Sequence, residues 1–242
     1  MGGNTSAMAH LALVVSAPWR GEDTGMMARF AAILVGLCLV SGPAMSGEAH
    51  KGYDLIFRGG TLSDFAPGDA LHYASRTENE AAAPEASANE TYALTLEEGG
   101  KVRLMRLLDE GEQPVAGFDA SVGNPMAMFF LERLVRDLAD ATGGSTFYIR
   151  NRLKESLLEP ETIRDTEITW AGVSHPAQAV VLAPFVGDEH AARLGPFAEL
   201  RVVFDLSSSV PGWYHMMRAE TPERAGASRF FQSTLRLKEP VK

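Results

Sequence analysis

The residues able to do chemistry are few and scattered. Beyond residue 47 the histidines are His50, His72, His175, His190 and His215, and no two stand at the short spacings through which one strand or helical turn offers a ligand pair to a metal. Asp188-Glu189-His190 sets three ligand types side by side, but adjacent residues rarely converge on one ion, and the triplet reads as a solvated loop. His215-Met216-Met217, with Met126 and Met128, offers thioethers of the kind that hold Cu(I). On a strand His215 and Met217 share a face while Met216 points away, the more ordinary pattern of core packing. No metal set is assigned. Gly172-Val173-Ser174-His175-Pro176 begins like a nucleophile turn, but Pro176 stands where the last glycine is needed. The chain has no P-loop, dinucleotide fingerprint or His-Glu-x-x-His pair, so no cofactor is expected.

Two candidate sites remain. Arg150, Arg152 and Lys154, with Tyr148, lie near an expected helix start; they form either an anion site or a solvated face paired with Glu155 and Glu159. Tyr73, Tyr92, Trp170 and Trp213 line an apolar ligand if the strands enclose a cavity, and are core if they do not. An envelope hydrolase or transferase would have to assemble from scattered groups such as His72, Asp119 and His215. Glu132, Arg133, Arg136, Asp137 and Asp140 are spaced for pairing along one helix.

The elements that position these groups are mostly strands. From residue 70 the period is two: Leu71, Tyr73 and Ser75 alternate with His72, Ala74 and Arg76, and Tyr92, Leu94 and Leu96 with Ala93, Thr95 and Glu97. Glu98-Gly99-Gly100-Lys101 and Asp109-Glu110-Gly111 are hairpin turns, and residues 77–90 read as a mobile acidic loop. At Asn124-Pro125 the period changes to that of a helix, with Asn as N-cap and Pro at the first position. It carries Phe130, Leu131, Leu134, Val135 and Leu138 on one side and stops at Gly143-Gly144. A second helix follows Ser145-Thr146, with Ile149, Leu153 and Leu157 on one face. Alternation resumes after residue 164, with Ala177 to Phe185 apolar on both faces, as in a strand paired on both sides. The expected fold is α+β: a curved, mainly antiparallel sheet of about nine strands, half-barrel-like, with one or two helices inserted after the fourth strand.

The chain has 242 residues with 45% hydrophobic and 22% charged, a globular composition. Its formal net charge of -9 argues against a nucleic-acid partner, and its one cysteine, Cys38, excludes disulfides within the chain. Met26-Met27-Ala28-Arg29 is followed by apolar residues from Phe30 to Val40, a break at Ser41-Gly42-Pro43, and small residues at Ala44 and Ser46. That order is a secretory signal. Its apolar run covers about 16 Å as a helix, too short for a bilayer core of roughly 30 Å. The expected organisation is a non-native upstream extension at 1–25, a signal peptide at 26–46, and one exported β-rich domain at 47–242 with no membrane span once the signal is cleaved. The short signal and absent disulfides point to a bacterial periplasm, or to secretion from a bacterium.

Ser121-Val122-Gly123-Asn124-Pro125-Met126, the helix after it, Gly143-Gly144-Ser145, Phe147-Tyr148-Ile149-Arg150-Asn151-Arg152 and Val210-Pro211-Gly212-Trp213-Tyr214 resemble a block in uncharacterised exported, periplasmic proteins of proteobacteria. The resemblance implies export and no particular activity. The leading expectation from the residues is non-catalytic binding of a small apolar ligand or an envelope protein partner on the β-scaffold. The alternatives are the hydrolase or transferase above and a structural or assembly factor.

Overall fold

The computed structural model describes residues 51–80, 88–223 and 228–238. They belong to one compact unit, Ser46–Lys242; the expected extension and signal at 1–46 lie outside the described residues. After a short helix, α1 (Lys51–Ile56), come four strands, β1 (Ala70–Asn79), β2 (Ala88–Glu97), β3 (Lys101–Leu108) and β4 (Gly111–Asp119). Two helices follow, α2 (Met126–Thr142) and α3 (Thr146–Leu158), then β5 (Thr162–Trp170), β6 (Val173–Leu182), a helical turn α4 (Ala191–Leu194), β7 (Arg201–Leu206), β8 (Tyr214–Glu220) and β9 (Phe231–Leu237).

All nine strands form one open antiparallel sheet in the order β4-β3-β2-β1-β9-β8-β7-β6-β5. It consists of two meanders, β1 to β4 and β5 to β9, joined where β1 pairs with β9 from Tyr73↔Leu237 to Asn79↔Phe231. The α+β class and the helix after the fourth strand agree with the sequence. The hairpin turns do too: Gly99 and Gly100 have φ of 75° and 70°, the pair of left-handed conformations a tight hairpin needs. The acidic loop is shorter than 77–90, because β1 runs to Asn79 and β2 starts at Ala88, with Thr77 opposite Ala88. Residues 81–87 lie outside the described residues.

This topology explains the helices. β4 ends at one edge of the sheet and β5 begins at the other, so the chain must cross the sheet between them. α2 starts one residue later than expected, with Pro125 at the N-cap position and Asn124 Oδ1 just before it accepting from Met126 N at 3.1 Å, and Gly143 ends α2 in the left-handed region at φ 65°. The apolar stripe of α2, including Phe129, Phe130, Leu134 and Leu138, is buried. Phe129 meets Tyr92 of β2 at 4.9 Å between ring centroids, and Phe130 meets Phe204 of β7 at 6.3 Å. Those strands stand four places apart, about 19 Å in a flat sheet, which a sheet curled around the helix accommodates. The inner face of the sheet is therefore packed with α2. Each fully buried Phe or Leu contributes roughly 1.5–3 kcal/mol.

Two elements had no sequence signal, α1 and α4. α1 is tied down from the far end of the chain: Trp213 Nε1 donates to Leu55 O at 2.8 Å and the Tyr214 hydroxyl donates to Ile56 O. The alternation of β8 is also broken. Leu206 pairs with Tyr214 but Asp205 with Met216, which leaves His215 as the extra residue of a bulge. His215 thus does not share a face with the buried Met217 as plain alternation requires. It packs against Trp170, ring centroids 6.3 Å apart and planes perpendicular.

Candidate functional site

The loop before β8 is built on an unusual backbone. Gly212 has φ 74° and Trp213 has φ 80°; a tryptophan in the left-handed region is strained, and such strain clusters at working sites. Ser207 N donates to Trp213 O at 3.0 Å and Ser207 Oγ to Pro176 O at 2.7 Å, so the loop is pinned at both ends. The result lays the Trp213 indole under the Arg58 guanidinium, which stands 4.6 Å from the ring centroid, a cation–π contact.

Asn124 holds this corner together. Its backbone N–H donates to Thr61 Oγ1 at 2.8 Å, and its amide nitrogen donates to Tyr73 Oη at 2.8 Å and to Gly212 O at 2.7 Å. One buried residue thereby joins the segment after α1, strand β1, the start of α2 and the loop before β8. Between residues 58–71 and 208–213 opens a cleft of about 680 Å³. Phe65, Leu71 and Trp213 supply apolar surface, and Arg58, Asp64 and Ser209 supply charge and hydrogen bonds.

The four aromatic candidates do not line one cavity. Tyr73 and Tyr92 stand opposite each other on β1 and β2, buried beneath α2; burial raises both phenols above their ordinary range, the Asn124 bond to Tyr73 only partly opposing it. Trp213 lines the cleft, and Trp170 lies at the tip of the β5–β6 hairpin. The cationic triplet is divided as well. Arg150 makes a two-pronged pair with Glu132 of α2 at 2.9 and 3.0 Å, and Arg152 pairs with Asp188 at 2.8 Å and with Glu155. Lys154 is exposed. Asp119 accepts from Ser121 N and meets Lys101, at the opposite end of the first meander from the strand carrying His72. His72, Asp119 and His215 therefore occupy three strands that are not neighbours. No group of three or more His, Cys, Asp or Glu among the described residues is placed to hold a metal.

A charged cluster fastens α2 to the sheet. Arg133 reaches Glu90 at 2.6 Å, Tyr92 Oη at 2.8 Å and Ser75 Oγ at 3.3 Å, and Arg106 reaches Glu90 at 2.9 Å. Burial alone would raise the Glu90 carboxyl, but the Arg133 charge and the hydrogen bonds around it hold it below its ordinary value. One helical turn on, Asp137 differs. Burial pushes it up to about 6, Arg133 and Arg136 offsetting only part of that cost, and one of its oxygens is buried without a hydrogen-bond partner. Its folded value exceeds its unfolded value, so the native state binds the extra proton between roughly pH 4 and pH 6, and stability falls as pH rises through that window. Asp137→Asn is expected to stabilise the protein near pH 7.5 by about 1–3 kcal/mol. It should also remove the wild type's gain between neutral pH and about pH 5, measured by urea unfolding at both.

Gly212 and Arg58 were not legible as site residues. Val210-Pro211-Gly212 reads as a turn and Arg58-Gly59-Gly60 as a loop; the one available signal was that a tryptophan and a tyrosine follow a Pro-Gly turn. The segments Ser121–Met126 and Val210–Tyr214 meet here through Asn124 and Gly212.

No protein-family model and no curated protein matches the sequence. Among solved structures, the chain is similar to the Mycobacterium tuberculosis lipoprotein LppX, at 10% identity and a TM-score of 0.31 over 75% of this chain and 91% of that one. A likeness of that size transfers no function.

Proposed function

We propose that this chain is an exported, non-catalytic binding protein that holds a small molecule in the cleft beside Trp213, not inside the sheet. The observation that carries the reading is the strained Gly212–Trp213 backbone, which lays an indole along an open space of about 680 Å³, within the range of ligand sites. The cleft suits a ligand with an apolar body for Trp213, Leu71 and Phe65 and a hydrogen-bonding edge for Arg58 and Ser209. Export rests on the basic, apolar and small-residue order of residues 26–46 and on the resemblance to periplasmic proteins of proteobacteria. No helix among the described residues is long and apolar enough to cross a membrane.

Native mass spectrometry of the protein isolated from a bacterial cell envelope tests the reading. A copurifying small molecule is expected on the wild type and should be absent from Ser209→Trp, which fills the cleft from an exposed position and leaves the fold intact by circular dichroism. A wild type without any added mass, or a mass retained by Ser209→Trp, overturns it. A second reading, a structural or assembly factor, is favoured by the inner face being packed with α2. It gains support if no ligand copurifies while an envelope protein does.

A further inference from the structure

A second recess lies on the outer face of the sheet and has a different chemistry. The β5–β6 hairpin pairs from Thr162↔Val181 to Trp170↔Val173, but β7 joins β6 only over Gln178–Leu182. The hairpin tip therefore runs past β7 and carries Trp170 to the outer side of the β8–β9–β1 region. The bulge in β8 turns His215 toward it. Between them lies a pocket of about 290 Å³ lined by Ala74, Trp170, His215, Arg236, Leu237 and Lys238. Ala74 and Arg236 are opposite each other in register and exposed, and the small Ala74 side chain leaves the space open.

The charge of this recess is unlike that of its surroundings. The chain carries 31 acidic residues against 22 basic ones, and Arg76, Arg103, Arg106, Arg201 and Arg218 of the sheet each hold a carboxylate. Arg236 of β9 and Lys238, the residue just past its end, are both exposed and take part in none of the ion pairs among the described residues. Asp205, which interacts electrically with His215, is engaged by Arg218 at 3.4 Å. Two cations that pair with no acid among the described residues, beside an indole, favour an anion with a flat apolar body. A volume near the lower bound of ligand sites limits that body to about one ring.

We propose that this recess binds a small organic anion with a single flat ring, its acid group between Arg236 and Lys238 and its ring against Trp170. The proposal is independent of the cleft at Trp213. Isothermal titration of the full chain with benzoate, phenyl phosphate and inorganic phosphate tests it. At least one ring acid is expected to bind with a Kd of about 0.1–1 mM. Affinity should fall at least about tenfold in Arg236→Gln/Lys238→Gln, both exposed positions, and in Ala74→Leu, which fills the recess, while Arg58→Gln binds like the wild type. The melting temperatures of these variants confirm that they are folded. The proposal is overturned if neither ring acid binds at about 10 mM, if the double variant binds as tightly as the wild type, or if inorganic phosphate binds as well as both ring acids. Loss of binding in Arg58→Gln alone would overturn it too, by moving the site to the other cleft.

Discussion

Gly212→Ala is expected to destabilise the protein by about 3–5 kcal/mol, a large part of the total stability of a domain. Three costs combine. A Cβ at this position would stand 2.4 Å from Leu71 Cδ1 and 2.8 Å from Asn124 Nδ2, and overpacking of that kind costs about 1–3 kcal/mol. The φ of 74° adds about 1 kcal/mol for any residue with a side chain. Displacing Asn124 disturbs buried hydrogen bonds to Tyr73 and Gly212, each worth about 1 kcal/mol. Gly60→Ala is the control. Gly60 has nearly the same φ, 72°, with nothing within 4 Å of its added Cβ, so it should lose only about 1 kcal/mol. Urea unfolding of the two variants measures the difference. Equal losses would show that the packing around Asn124 contributes little.

Arg133→Met is expected to cost about 3 kcal/mol, the lower end of the range for breaking a buried pair. The variant leaves Glu90 with Arg106 but without the guanidinium at 2.6 Å, and takes from Tyr92 and Ser75 a donor that ties α2 to β1 and β2. Adding Glu90→Gln should restore part of the loss, because the carboxylate that Arg133 neutralised is then gone; fully additive effects in a double-mutant cycle would falsify the coupling. The pH dependence follows from the two acids. Glu90 titrates below its unfolded value, so its stabilisation is present above about pH 4.5 and lost as pH falls below that. Asp137 acts oppositely, adding stability as pH drops through about 6. The wild type should therefore be most stable near pH 5. Arg133→Met should lose the acid-side decline due to Glu90 and keep the Asp137 gain.

The hairpins were legible because their information is local. Leu71, Tyr73 and Ser75 alternate with His72, Ala74 and Arg76 whatever they pair with, and Gly99-Gly100 reaches the positive φ of a tight turn without strain. Asn124-Pro125 and Gly143 bounded α2 for the same reason, since caps are satisfied within a few residues. Ala177 to Phe185 is apolar on both faces; Ala177 to Leu182 lie in β6, which has a neighbouring strand on each side, while Ala183 to Phe185 lie beyond its end. α1 was not legible: its six residues are held by Trp213 and Tyr214, 158 positions away, and carry no periodicity of their own. Nor was the bulge, because the register of β8 against β7 is a property of the pair, and it moved His215 off the face that alternation assigns it.

The candidate sites were less legible than the fold. Tyr73, Tyr92, Trp170 and Trp213 look alike in a linear pattern, as large apolar residues on strands. Tertiary structure separates them into two side chains beneath a helix, one in a cleft and one in an outer recess. The residues that shape the cleft are placed by contacts between distant segments, Arg58 with Trp213 and Gly212 with Asn124, and a turn motif does not say what its carbonyl will meet.

From sequence alone follow the antiparallel α+β class, the strand count and the place of the two main helices, because alternation, turn residues and caps act over a few residues. Only the tertiary structure decided that β1 closes onto β9, that α2 fills the inner face, and that open space lies at the Trp213 cleft and beside Trp170. Periodicity reports which face of an element is apolar. What covers that face depends on a partner elsewhere in the chain.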